Sequence, residues 1–303
     1  LHNMKHNSTF ERCGFMASLV INGGRRLNGS LTAQGSKNSA LPILAATYLV
    51  NGKSIIHNCP RLSDVECTIK ILENLGCKTE RHGTDLIVDS TSASGYEIPE
   101  NLMREMRSSV VFLGAILGRA KKAKISTPGG CEIGLRPIDL HLFAMRKLGV
   151  EIEESYGKLL CTIPQKLKGT KITLTFPSVG ATENAILLAS VARGTTTIIN
   201  AAREPEIIDL CNFLSKCGAK ISGAGESVIV IEGVEKLEAA EHSVICDRIA
   251  AATYLFAGAI TGGDVTLKNT VPQHLNSILP VLEETGCEIS IKCNEIRLKA
   301  PLK

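Results

Sequence analysis

Cys131 lies in the run PGGCEIGLRPID, residues 128–139, where a glycine-rich loop carries one thiol and one guanidinium. A thiol near cations titrates close to neutrality, so it can serve as an acid or, as the thiolate, as a nucleophile. Gly129, Gly130 and Gly134 let backbone approach a ligand closely, and Pro137 presets the first helical turn behind Arg136. A reactive sulfur and an anion-binding group are therefore expected to face one volume. The plainer reading of a cysteine is a packed or idle thiol, and that is the expectation for the others among the 11 cysteines.

Further candidates stand where helices are expected to begin. The starts read Gly35-Ser36-Lys37-Asn38, Met106-Arg107-Ser108-Ser109, Ser178-Val179-Gly180-Ala181-Thr182-Glu183-Asn184 and Cys246-Asp247-Arg248. Helix N-termini present free N–H groups and a partial positive charge, so each can hold phosphate or carboxylate, and Lys37 and Arg107 add full charges. Taken singly, a lysine or arginine is usually a solvated surface charge, and Asn38 an ordinary helix-start residue. Asp139 suits a helix first turn electrostatically, and the acidic Glu204 and Asp209 around Pro205 have the same structural look.

These positions are equivalent because the chain repeats. Helices ending Asn74-Leu75-Gly76, Lys147-Leu148-Gly149, Lys216-Cys217-Gly218 and Glu284-Thr285-Gly286 place a glycine about every 70 residues. Each glycine reads as a left-handed helix cap, followed by alternating runs such as Lys78 to Val88 and Lys220 to Ile231 that pair as strands. Upstream, each unit has an apolar helix (Ala40 to Val50, Ser109 to Leu117, Thr182 to Ala192, Ile249 to Ala259) and a strand (Ser54 to His57, Lys124 to Ser126, Thr196 to Ile199, Asp264 to Leu267). The links to the second helix begin Asn58, Asn200 and Asn269 and reach Pro60, Pro205 and Pro272. In the second unit the link, Thr127 to Pro137, is longer and holds Cys131, and such insertions are tolerated mainly on exposed, often functional, loops.

At 303 residues, 44% apolar and 21% charged, the chain is expected to fold as an α/β protein of two domains. No apolar run is long enough for a membrane span, and Leu1 to Phe15 lacks a secretory hydrophobic stretch. An odd number of scattered cysteines without export signal reads as reduced thiols, not a disulfide frame, and no Cys/His cluster has metal spacing. The chain reads as cytoplasmic and free of metal and cofactor. A net charge of +4, spread basic residues and the absence of tryptophan give nucleic-acid binding little support. Small anionic ligands fit better.

The segments GSKNSALPILAA (35–46), MRSS (106–109), PGGCEIGLRPIDLH (128–141), PSVGATEN (177–184), NAAREPEIIDL (200–210) and CDRIAAATYL (246–255) together resemble the UDP-N-acetylglucosamine enolpyruvyl transferases of peptidoglycan synthesis, from about Ala17 to Leu298. The resemblance implies an inside-out α/β barrel built from βαβαββ-like units, with helix N-termini facing a cleft between two domains. It implies one complete three-unit domain over 37–245, an incomplete second domain from 17–36 plus 246–303, and a leader over 1–16. A chain with four of the family's six units is expected to be C-terminally truncated, lacking the family's presumed aspartate base.

The implied reaction moves enolpyruvyl from phosphoenolpyruvate to the 3-hydroxyl of UDP-N-acetylglucosamine and releases phosphate. By the same resemblance Cys131 is the acid and the target of fosfomycin, with Lys37 and Arg136 catalytic. Lys37, Asn38, Cys131 and Arg136 hold phosphoenolpyruvate. Asn38, Arg107, Arg136, Pro137, Ile138, Asp139, Leu140, Ser178, Val179 and Gly180 hold the nucleotide sugar. Phe176 stands where some relatives carry a lysine. His141 reads as a ligand contact or a packed histidine, and Asp247 and Arg248 as catalytic support or a hinge ion pair. Two alternatives remain: a transferase acting on shikimate 3-phosphate, and a truncated, non-catalytic UDP-sugar-binding protein.

Overall fold

The computed structural model describes residues 22–126 and 137–301. Its elements follow the repeat. The first unit comprises α1 (Lys37–Leu49), β2 (Lys53–His57), α2 (Ser63–Asn74), β3 (Lys78–His82) and β4 (Asp85–Asp89), preceded by β1 (Asn28–Thr32). After α3 (Glu100–Glu105), the second has a 3-10 turn (Arg107–Val111), α4 (Phe112–Ala120), β5 (Lys122–Ser126), α5 (Asp139–Lys147), β6 (Glu151–Ser155) and β7 (Lys158–Thr162). The third has β8 (Lys171–Thr173), α6 (Val179–Ala189), β9 (Thr195–Ile199), α7 (Pro205–Lys216), β10 (Lys220–Ser222) and β11 (Val228–Glu232). The fourth follows as β12 (Glu241–Ser243), α8 (Arg248–Ile260), β13 (Asp264–Lys268), α9 (Leu279–Glu284), β14 (Glu288–Lys292) and β15 (Glu295–Lys299).

Helices α1, α4 and α6 are apolar nearly all round, so they can be stable only at the centre, and there they pack on one another. Every residue of α1 from Ser39 to Leu49 is buried. The sheets lie outside, their strands alternating buried and exposed residues as one-sided sheets must. The fold is thus α/β with helices inside, and its strands form four separate open sheets, with no closed barrel among them.

Each of the four marker glycines adopts the left-handed conformation, with φ of 95° at Gly76, 97° at Gly149, 100° at Gly218 and 87° at Gly286. The link asparagines do the same, at 53°, 57° and 56° for Asn58, Asn200 and Asn269. Their side chains donate to Val244, Leu174 and Ala33 carbonyls, fastening a parallel strand beside the unit's central strand.

In two sheets that parallel strand comes from far along the chain. β1 pairs with β13, and β12 pairs with β2. The two chain segments that connect these exchanged strands run side by side. Ser36 N–H donates to Ile245 O and Asp247 N–H to Gln34 O, both at 2.8 Å. Asp209, 3% exposed on α7, secures the crossing: it accepts from Ser39 Oγ and the Ile245 N–H and pairs with His242 Nε2 at 2.8 Å. Buried apolar residues accordingly form two clusters, one drawn from residues 40–244 and one from 251–300.

Nine described cysteines are free, eight of them buried and only Cys293 exposed. Burial pushes the thiols of Cys77, Cys211 and Cys217 up to about 12, where they are inert. Among the described residues no helix is long and apolar enough to cross a membrane, and no group of three His, Cys, Asp or Glu is placed to hold a metal.

Candidate functional site

Three of the four first helices begin with side-chain caps. Ser36 accepts from the Ser39 N–H, Ser178 from the Ala181 N–H, and Asp247 from the Ile249 and Ala250 N–H groups at 2.9 and 3.0 Å. The second unit departs from the expected α-helical start, opening with the uncapped 3-10 turn Arg107–Val111. Asn184 of α6 supplies the reason. Its Oδ1 accepts the Gly114 N–H at 2.6 Å, and its Nδ2 donates to the Val110 carbonyl at 3.0 Å. Those two backbone groups would bond to each other in a regular α-helix, so the inserted side chain interrupts the ladder.

These starts meet at a cavity of about 370 Å³ lined by Asn38, Ser108, Val179, Gly180, Glu183, Glu204, Glu206 and Arg248. A smaller one of about 160 Å³ shares Ser108, Gly180 and Glu183 with it and adds Arg107, Ile138 and His141. Asn38, Arg107, Ile138, Val179 and Gly180 are therefore brought together, with the Ser178 cap beside them. Lys37 lines neither cavity: its ammonium pairs with Asp64 at the start of α2, 2.8 Å away. Pro137 and Asp139 are exposed at the head of α5, and Leu140 packs against the core. Cys131 and Arg136 lie outside the described residues.

Arg248 does not pair with Asp247, which is occupied as the α8 cap. Its guanidinium grips the buried Glu206 through Nε at 3.1 Å and a terminal nitrogen at 3.2 Å, tying α7 to α8 at the cavity wall. His141 is 8% exposed, and its Nδ1 meets Asn184 Nδ2 at 2.8 Å. An amide nitrogen only donates, so Nδ1 accepts and the ring proton sits on Nε2. Burial, reinforced by Arg107, lowers this histidine to about 4, so it is neutral at physiological pH.

Glu183 is not among the candidates that the sequence offers. The residue is buried, at 7% exposure, and lines both cavities, and its carboxyl has no hydrogen-bond or ion-pair partner among the described residues. Burial, with Glu206 and Glu204 adding repulsion, pushes its pKa up to about 8. The signal available in sequence was a carboxylate inside the apolar helix VGATENAILLA, a residue type almost never buried without a reason. The arrangement offers a neutral acid, a neutral imidazole, an amide and small-residue backbone in one concavity, with Arg107 at its side. That set suits a polar ligand with an anionic group.

A family model described as EPSP synthase (3-phosphoshikimate 1-carboxyvinyltransferase) matches residues 21–303. UDP-N-acetylglucosamine 1-carboxyvinyltransferase 2 of Caldanaerobacter subterraneus subsp. tengcongensis is 54% identical over 287 residues, covering 92% of this chain and 69% of that protein. The chain belongs to the UDP-N-acetylglucosamine 1-carboxyvinyltransferase family. A second member, from Symbiobacterium thermophilum, is 50% identical, with 89% of this chain and 62% of that protein covered. The chain thus spans about two thirds of the length of these carboxyvinyltransferases. Among solved structures, the enolpyruvyl transferase NikO from Streptomyces tendae superposes with a TM-score of 0.83 at 24% identity, over 93% of this chain and 68% of that one. An EPSP synthase from Acinetobacter baumannii gives 0.74 at 20%, over 91% and 65%. At such identities these two structures speak for the carboxyvinyltransferase fold alone.

Proposed function

We propose that this chain transfers the enolpyruvyl group of phosphoenolpyruvate to the 3-hydroxyl of UDP-N-acetylglucosamine, in peptidoglycan synthesis. The observation that carries the reading is the convergence of the α1 start, the 3-10 turn and the α6 start on one cavity, in a chain 54% identical to a transferase named for that sugar nucleotide. The sugar oxygen attacks C2 of the enolpyruvyl unit as a proton is delivered to C3, giving a tetrahedral intermediate. Loss of a C3 proton then expels phosphate and restores the double bond. An acid, a base and cations for two anionic substrates are the minimum equipment.

In this reading Cys131 delivers the proton to C3, and its thiolate is the group that fosfomycin alkylates. Lys37, Arg136 and Asn38 hold phosphoenolpyruvate. An incoming phosphate competes with Asp64 for the Lys37 ammonium, so substrate binding breaks that ion pair. Arg107, Arg136 and Asn38 with Pro137, Ile138, Asp139 and Leu140 hold the nucleotide sugar, where Ser178, Val179 and Gly180 admit the diphosphate closely. Residues 37–245 act as one domain, and 17–36 with 246–303 as the other, a division supported by the two buried clusters and the exchanged strands. The reading places the reaction in the cytoplasm.

Phosphate release from phosphoenolpyruvate, measured with UDP-N-acetylglucosamine and separately with shikimate 3-phosphate, tests this. Release with the nucleotide sugar alone is expected. Release only with the shikimate ester, or calorimetric binding of the nucleotide sugar without any phosphate release, would sink it.

A further inference from the structure

A second cavity, larger than those of the candidate site, lies at the other end of the central helices. It measures about 780 Å³, within the range of small-molecule sites. Helix α6 connects the two places: Val179, Gly180 and Glu183 at its start line the candidate site, while Val191, Ala192 and Arg193 beyond its end line this cavity. Eleven helical residues separate them by roughly 16 Å.

Two departures from the repeat create this cavity. At the junction of the first and second units, Arg119 of α4 fills the equivalent space, donating to the carbonyls of Tyr48, Val50, Ser90 and Ala93. Ala192 occupies the corresponding position of the third unit, three residues before its central strand, so a methyl group stands where the guanidinium would plug the gap. The second departure is Lys121. It takes φ of 61°, while the equivalent residues of the first and third units are Gly52 and Gly194, at 117° and 91°. A non-glycine residue there is held in a conformation that its Cβ disfavours. The strained residue is a lysine on the cavity wall.

Lys121, Lys166 and Arg193 line the cavity, and none of the three has a carboxylate partner among the described residues. One Lys121 N–H donates to the Gly118 carbonyl at 2.6 Å, leaving two donors. Desolvation lowers the Lys121 pKa, as expected of an ammonium held against protein without a counter-charge. The nearby helix-end carbonyls that would repel an anion are already bonded, Ser190 O to the Val234 N–H and Lys121 O to the Ile163 N–H. Ile163, Leu167 and Val234 supply an apolar wall, and Glu235 is the single acid of the lining.

We propose that this cavity is a second ligand site, for a small anion carried on an apolar body, with Lys121, Lys166 and Arg193 holding the anion. It stands independently of the transfer reaction. Phenyl phosphate is a suitable probe. In an amide chemical-shift titration of the full chain at low salt, Lys121, Arg193, Gly194 and Gly233 should shift. The Lys166→Glu, Arg193→Glu double variant should bind at least tenfold more weakly, while Lys166→Arg with Arg193→Lys keeps the affinity. Lys121→Gly should remain folded, with the strain relieved, and still lose affinity, an outcome that a purely structural helix-end lysine would not give. Absent shifts at the cavity, shifts confined to the surroundings of Asn38 and Gly180, or cavity shifts that persist unchanged in the double-glutamate variant would overturn the proposal. Should that variant fail to fold, Lys166→Gln and Arg193→Gln, both at exposed positions, are read singly against the same criterion.

Discussion

The Asn184 side chain takes the place of a main-chain hydrogen bond, its Oδ1 accepting the Gly114 N–H at 2.6 Å while its Nδ2 serves the Val110 carbonyl and His141. One amide thus sets the 3-10 turn that carries Arg107 and Ser108, and the tautomer of the histidine facing them. Replacing Asn184 by Ala strands three buried polar groups and should destabilise the fold by about 3 kcal/mol. Gly114→Ala should cost about 2 kcal/mol, because a Cβ there would lie 2.5 Å from the Asn184 carbonyl oxygen. Urea denaturation measures both, and midpoints equal to that of the unaltered chain would refute the packing.

His141 should titrate near 4 by NMR. Its folded pKa lies below the unfolded value of about 6.5, so the unfolded chain binds the proton first as pH falls. The stability due to this residue is complete above about 6.5 and is lost toward pH 4, on the order of 3 kcal/mol in all. His141→Gln should flatten that part of the stability profile; an unchanged profile contradicts the assignment.

Glu183 has the opposite dependence. With its folded pKa raised to about 8, the folded chain keeps a proton that the unfolded chain has released, so stability declines as pH climbs from about 4.5 to 8. Glu183→Gln should therefore unfold at a higher temperature than the unaltered chain at pH 8 and at nearly the same temperature at pH 4.5. Equal melting temperatures at both pH values would show the carboxyl to be ionised and solvated.

Asp209 joins α1, α7 and the chain crossing through Ser39, His242 and the Ile245 N–H. Asp209→Ala should lower stability by about 3 kcal/mol or more, since buried partners are left unpaired. Hydrogen exchange should then accelerate first at residues 242–247. Loss of protection elsewhere, with that segment unaffected, would show the crossing to be held by other contacts.

The repeat was legible because its signals are local. A glycine that must be left-handed, a proline that opens a helix and an alternating strand pair each leave a mark within a few residues, and the four helix-cap glycines stand as read. Helices expected over 40–50 and 249–259 form over 37–49 and 248–260. The boundaries differ because Ser36 and Asp247 cap earlier than the apolar pattern begins. In the sequence the link asparagines read only as loop residues, since their carbonyl partners follow strands as far as 236 positions away.

The amino-acid sequence by itself determined the units, their order, the apolar central helices and the family, because each rests on near-neighbour chemistry or on residue identity. Only the tertiary structure decided which strand joins which sheet, that Asn184 breaks into the second unit's helix, that Lys37 rests on Asp64, and that Glu183 is buried without a partner. It alone showed that Ala192 leaves a cavity where Arg119 closes one. These are contacts between segments far apart in the chain, and their energies depend on distance and desolvation, which no local pattern encodes.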